Sequence, residues 1–174
     1  MTSAQRNIAD AILAGPRGAS TGLEGPFDAL LRSPRLAEPL QRVGEYLRFS
    51  SSLPARLNEC AILITARWWS AQFEWTTHRR LAVEAGLEPR IIQAIERHQV
   101  PPDMDGPTSA VHDFTSQLLQ SGGVDDRGFD RIVDYFGEEG AVDLIGVVGY
   151  YCLVSFLLNV DRYPLPSGEV PLGD

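Results

Sequence analysis

Fifteen consecutive residues without a charge, Leu144 to Leu158 (LIGVVGYYCLVSFLL), constrain the fold of this chain more than any other stretch. A helix apolar on all sides must be covered by the rest of its chain or by another molecule. The run is shorter than the roughly 20 residues needed to cross a bilayer, and Asp143 and Asp161 bracket it closely. It reads as the centre of a soluble core or as a subunit interface, and no membrane insertion is expected. At 174 residues the chain is long enough for one domain, taken as residues 1–174.

Prolines and glycines divide the rest into helical lengths. Residues 3–14 read as a helix capped by Ser3 and ended by Gly15-Pro16. The glycine-rich residues 15–25 form a loop, and Pro26 opens a short helix. Ser33-Pro34 opens a longer one to Phe49, and Leu53-Pro54 starts the next. In that segment Leu57, Ala61, Ile64 and Trp68 recur at helical spacing. Further helices are expected from about Ala71 to Ala85 with Gly86 as C-cap, after Glu88-Pro89, and from Thr108 to Leu119. Two more cover residues 126–136 and 138–160, followed by an extended tail. No stretch sustains the period-two alternation of a half-buried strand. The expected fold is all-α.

Charge and cysteine usage exclude several functions. A formal net charge of -8, with no lysine among the 15 basic residues, leaves no basic stripe to neutralise phosphates. No nucleic-acid partner is expected. Cys60 and Cys152 stand alone in apolar runs and read as buried, reduced thiols of a cytoplasmic protein. The N-terminal residues 1–15 contain Asp10 and lack an adequate apolar core, so no signal peptide is expected.

The candidate chemistry lies in residues 59–86. Glu74 and His78 stand at i and i+4, which places them on one face of a helix. Such pairs are also common surface stabilisers. Glu59 lies in the apolar run upstream. On one straight helix it would sit about 22 Å from Glu74, from the rise of 1.5 Å per residue. A chain reversal near Trp69-Ser70, with Ser70 capping the second helix, brings the three together. Glu74 then falls in a first turn, where the helix dipole favours a carboxylate. Trp68, Trp69 and Trp75 suit a core or interface, and Trp75 is the one expected to line the pocket. Arg79 and Arg80 are solvated, or one of them, Arg79, anchors a substrate carboxylate as a bidentate fork. His98 and His112 read as surface histidines.

With these positions in hand, the chain resembles the carboxymuconolactone decarboxylase family, which includes the alkylhydroperoxidase D (AhpD)-like enzymes. The peroxidase branch carries a glutamate, eleven residues, C-x-x-C, three residues and a histidine. Here Glu59, Ala71, Glu74 and His78 match that spacing at every step. The runs LAVEAGL (81–87) and GYYCLVSFLLNVDRYPLP (149–166) are similar to family segments, so the resemblance covers roughly residues 26–166. It implies an AhpD-like helical domain of about six to eight helices. It also implies a homo-oligomer, commonly a trimer or hexamer, with no metal, and no cofactor is expected. The uncharged run 144–158 gives oligomerisation a physical basis.

Ala71 and Glu74 occupy the two cysteine positions of the peroxidase branch. A peroxide-reducing dithiol needs an attacking thiolate and a resolving sulfur, so peroxidase (peroxiredoxin) activity is not expected to carry over. The resemblance suggests a lyase-like enzyme acting by acid–base chemistry on a small organic acid or lactone. Glu59, Glu74 and His78 would be its catalytic group, with His78 the proton donor or acceptor. The alternatives are a peroxidase using Cys60 and a non-catalytic oligomeric ligand-binding protein. Two carboxylates and an imidazole are also permissive metal ligands.

Overall fold

The computed structural model describes residues 1–18, 22–165 and 168–173, and every regular element among them is an α-helix. The eight helices are α1 (Ser3–Ala14), α2 (Pro26–Leu30), α3 (Pro34–Phe49), α4 (Ala55–Trp68), α5 (Gln72–Glu84), α6 (Pro89–Glu96), α7 (Gly106–Ser121) and α8 (Asp126–Asp161). The glycine-rich loop and the tail expected from sequence fall partly outside the described residues.

Local chemistry sets most of these boundaries. Pro26, Pro34 and Pro89 sit in first turns, where the missing N–H costs nothing. Asp105 and Asp125 cap α7 and α8 by accepting from Thr108 N and Gly128 N. At α1 the cap is Thr2, not Ser3: its side chain and that of Gln5 form a reciprocal capping box. The two segments expected at 126–136 and 138–160 run as one element, interrupted at Gly137, whose φ of 72° and ψ of 177° suit glycine alone.

The most completely buried helix is α4. Every residue of α4 from Leu57 to Arg67 is buried, and α5, α6, α7 and α8 all pack on it. The uncharged run of α8 instead has two faces. Leu144, Val147, Val148, Tyr151, Val154 and Leu158 point into the main core at helical spacing, together with Leu57, Ala61, Ile62, Val111 and Phe114. Ile145, Phe156 and Val160 face outward. By length and composition α8 would suffice to cross a membrane, but 56% of its most apolar window is buried within the protein.

Polar groups also pin α8 in place. Buried Asp143 accepts from Ser52 N at 2.8 Å, Ser52 Oγ at 2.7 Å and Tyr46 Oη at 3.1 Å, tying α8 to the end of α3 and the turn after it. Asp143→Ala is expected to destabilise the fold by about 2–4 kcal/mol, because charge-assisted bonds vanish and a backbone donor loses its acceptor. Urea melts at neutral pH measure this, and a loss below about 0.5 kcal/mol, the range of ordinary surface substitutions, would contradict it.

Candidate active site

The site exists because the chain reverses between α4 and α5, as the spacing requires, although neither glycine nor proline marks the turn. The device is a Schellman closure. Ala71 N donates to Ala66 O at 2.8 Å and Ser70 N to Arg67 O at 3.1 Å, with Ser70 in the left-handed region at a φ of 47°. Ser70 thus terminates α4; the expectation that it caps α5 is not met, and Ala71 holds that position without a side-chain bond. The strain of a non-glycine residue there is offset by Arg67. Its buried guanidinium reaches Ser70 Oγ at 3.2 Å, Glu96 O at 2.7 Å and Gly173 O at 2.9 Å. One arginine therefore joins the turn, the end of α6 and the C-terminal tail.

The reversal lays α5 against α4 and brings the three expected residues together. His78 Nδ1 lies 2.7 Å from Glu59 Oε2, and His78 Nε2 lies 3.2 Å from Glu74 Oε1. Their exposures are 5%, 7% and 3%, so none of them is a surface pair. Glu74 sits in the first turn of α5, as the sequence suggests. Tyr151 closes the group from α8, its ring edge-on to the imidazole at 5.0 Å.

Burial is the strongest single influence on His78 and opposes its charge. Glu59, by charge and hydrogen bond, and then Glu74 overcome it and hold the imidazole pKa up to about 9. His78 is therefore an imidazolium at neutral pH. Burial, then the charges of Glu74 and Glu59, push the Tyr151 hydroxyl well above its ordinary range. Tyr151 is thus a neutral donor.

A partly open cavity of about 30 Å³ borders this cluster, with room for about two waters or one carboxylate group. Phe73, Glu74, Thr77 and His78 form its wall from α5. Glu59 does not reach it and holds His78 from behind. Arg17, Glu24, Arg48, Tyr150 and Tyr151 are its other polar lining residues.

Two expected lining residues lie elsewhere. Trp75 is buried in the second core cluster with Cys60, Leu63, Ala82 and Ile91, on the side of α5 facing α4 and α6. Arg79 is exposed and takes no part in the cavity. A helix turns about 100° per residue, so neighbours of Glu74 and His78 point away from what those two face. Arg80 pairs at the surface with Glu84 at 2.8 Å. His98 is exposed, as expected, while His112 is half-buried and lies 3.1 Å from Asp113.

The sulfurs stand apart from the cavity. Cys60 is fully buried, and burial pushes its thiol up to about 12. It has no thiolate character at neutral pH. Cys152 is half-buried and lies 3.2 Å from the Trp69 indole nitrogen, which donates to it.

The fold and site together define an all-helical protein with a buried carboxylate–imidazolium–carboxylate cluster beside a small cavity. No protein-family model matches the chain. No curated protein sequence is a significant match either. Any functional reading therefore rests on the residues themselves.

Proposed function

We propose that the protein is a carboxymuconolactone decarboxylase-like enzyme, moving a proton to or from carbon in a small organic acid or lactone. One observation carries this reading: each ring nitrogen of buried His78 faces a buried carboxylate, and one of the two, Glu74, borders a cavity. In a decarboxylation the C–C bond to the departing CO2 breaks and leaves its electron pair in an enolate. The same carbon or its conjugated partner then takes a proton. An imidazolium in contact with a cavity-facing carboxylate supplies that proton at neutral pH, and Glu59 behind it keeps the ring charged and oriented. Tyr151, neutral and next to His78, suits hydrogen bonding to the enolate oxygen.

The test offers carboxylated γ-lactones and small β-oxo acids in deuterated water. Release of CO2 with deuterium on the product carbon supports the reading. Neither signal above background, with folded protein at high concentration, would remove it. The peroxidase alternative finds little support, since Cys60 is a buried thiol without access to the cavity.

Self-association belongs to the same proposal. Ile145, Phe156 and Val160 are exposed on α8, and an open groove lined by Gly149, Cys152, Leu153 and Phe156 runs beside them. Contiguous apolar surface of this kind marks an interface. Light scattering is expected to give the mass of a trimer or hexamer, and a monomeric mass at micromolar concentration would contradict it.

A further inference from the structure

Besides the acid–base cluster, the cavity lining carries two arginines. Arg17 comes from the loop after α1 and Arg48 from the last turn of α3, and both residues line a space of only about 30 Å³. Arg17 is buried, with its guanidinium 5.1 Å from the centre of the Phe27 ring. Among the described residues Arg48 forms no ion pair and no hydrogen bond, and its guanidinium lies 5.0 Å from the centre of the Phe49 ring. Both arginines also act on Tyr150 and Tyr151, opposing the rise that burial imposes on those hydroxyls.

A close approach of helices makes room for this arrangement. Gly44 of α3 packs against the Tyr150 hydroxyl and the Arg17 guanidinium, and a Cβ there would collide with both. A guanidinium bond to an anion is stronger in a partly dry space than in water, since little solvent remains to screen it. The negative charges of the site lie on α4, α5 and the loop before α2. Glu59, Glu74 and the His78 imidazolium sum to one negative charge, and Glu24, exposed to solvent, adds a second, so a carboxylate bound here is held by direct bonds to the guanidinium groups rather than by an excess of positive charge.

We propose that Arg17 and Arg48 form the anchor for the carboxylate of the ligand, holding its charged end in this cavity within reach of Glu74 and His78. The inference rests on the acid–base reading for its chemistry but not for its measurement. A planar carboxylate matches the guanidinium fork and the available volume, whereas the tetrahedral phosphate group is larger. The anchor thus lies on the α1–α2 loop and on α3, not at exposed Arg79.

The experiment titrates acetate, and separately acetamide of the same size, into protein labelled for NMR at the arginine Nε–H groups. Acetate is expected to shift the Arg17 and Arg48 signals saturably, with Arg79 unmoved and acetamide without effect. Arg48→Met is expected to weaken acetate binding about tenfold or more, as for the loss of a charge-assisted bond, and Arg48→Lys to restore part of it. Equal responses to acetate and acetamide, a response shared by Arg79, or unchanged affinity in Arg48→Met would overturn the anchor. Should Arg48→Met fail to fold, the acetate–acetamide comparison on the native protein and Arg48→Lys decide. Binding is read here without turnover. An enzyme that turns over neutral lactones but ignores acetate loses only the anchor, and one that binds acetate but shows no proton transfer loses only the acid–base reading.

Discussion

Glu74→Gln is expected to lower turnover about 10²–10⁴-fold, the usual range for a lost general acid or base, while leaving the protein folded. Glutamine keeps the size of Glu74 and can still bond to His78, but it neither accepts nor returns a proton at neutral pH. Because Glu74 is the one carboxylate of the cluster that borders the cavity, its loss acts on the reacting atoms directly. His78→Ala is a harsher probe. It leaves Glu59 and Glu74 buried without the cation between them, a defect of about 3–5 kcal/mol in comparable broken pairs, so activity and stability would fall together. The decisive comparison is kcat for Glu74→Gln against native protein, with urea melts on both. A kcat within threefold of native, in a variant that melts normally, would show that Glu74 does not handle the proton.

Stability is expected to fall as pH rises from 6.5 to 9, and Glu59→Gln should abolish most of that slope. The folded His78 pKa stands at about 9 against 6.5 for a histidine side chain in the unfolded chain. A raised pKa means that the folded protein binds the proton more tightly than the unfolded chain does. Its contribution is therefore complete below pH 6.5 and disappears as pH climbs through 9. At about 1.4 kcal/mol per pKa unit, the effect is on the order of 3 kcal/mol. In Glu59→Gln the two largest influences that oppose burial are gone and the imidazole pKa falls, so the variant should lose stability at pH 6 and approach the native protein at pH 9.5. Denaturant melts across that range, with the His78 ring followed by NMR, test both halves. A native protein equally stable at pH 6 and 9.5 would mean that His78 is not held charged by its neighbours.

The proton-transfer reading ties these two expectations together. If His78 must be charged to protonate carbon, the rate should decline above pH 9 along with the stabilisation it supplies. Glu59→Gln should then impair catalysis through the charge and orientation of the ring, although Glu59 never borders the cavity. It acts as a positioning residue.

Most of what lies along the chain was decided by the sequence itself. Helix starts and stops depend on groups a few residues apart, so Pro34, Gly86, Asp105 and Gly137 announce their breaks wherever the helices later pack. The convergence of Glu59, Glu74 and His78 was legible for a related reason. Two carboxylates fifteen positions apart cannot close on one imidazole without a reversal, and the i,i+4 pair fixes which face receives them. Ser70 shows the limit of that local logic, because its left-handed conformation depends on Arg67, whose other bonds run to α6 and the tail.

Only the tertiary structure decided what the cluster faces. Nothing near Trp75 in sequence tells which side of α5 meets α4 and which meets the cavity, and packing sent the indole into the core. Arg17 and Arg48 reach the cavity from two distant segments, so no spacing rule connects them to His78. The apolar run of α8, expected in the core or at a subunit interface, lines the main core with one face, but the helix enclosed on all sides is α4, with its Glu, Thr and Arg. Burial is a property of how many neighbours surround a helix, and a helix with polar groups can be enclosed when each finds a partner within the fold.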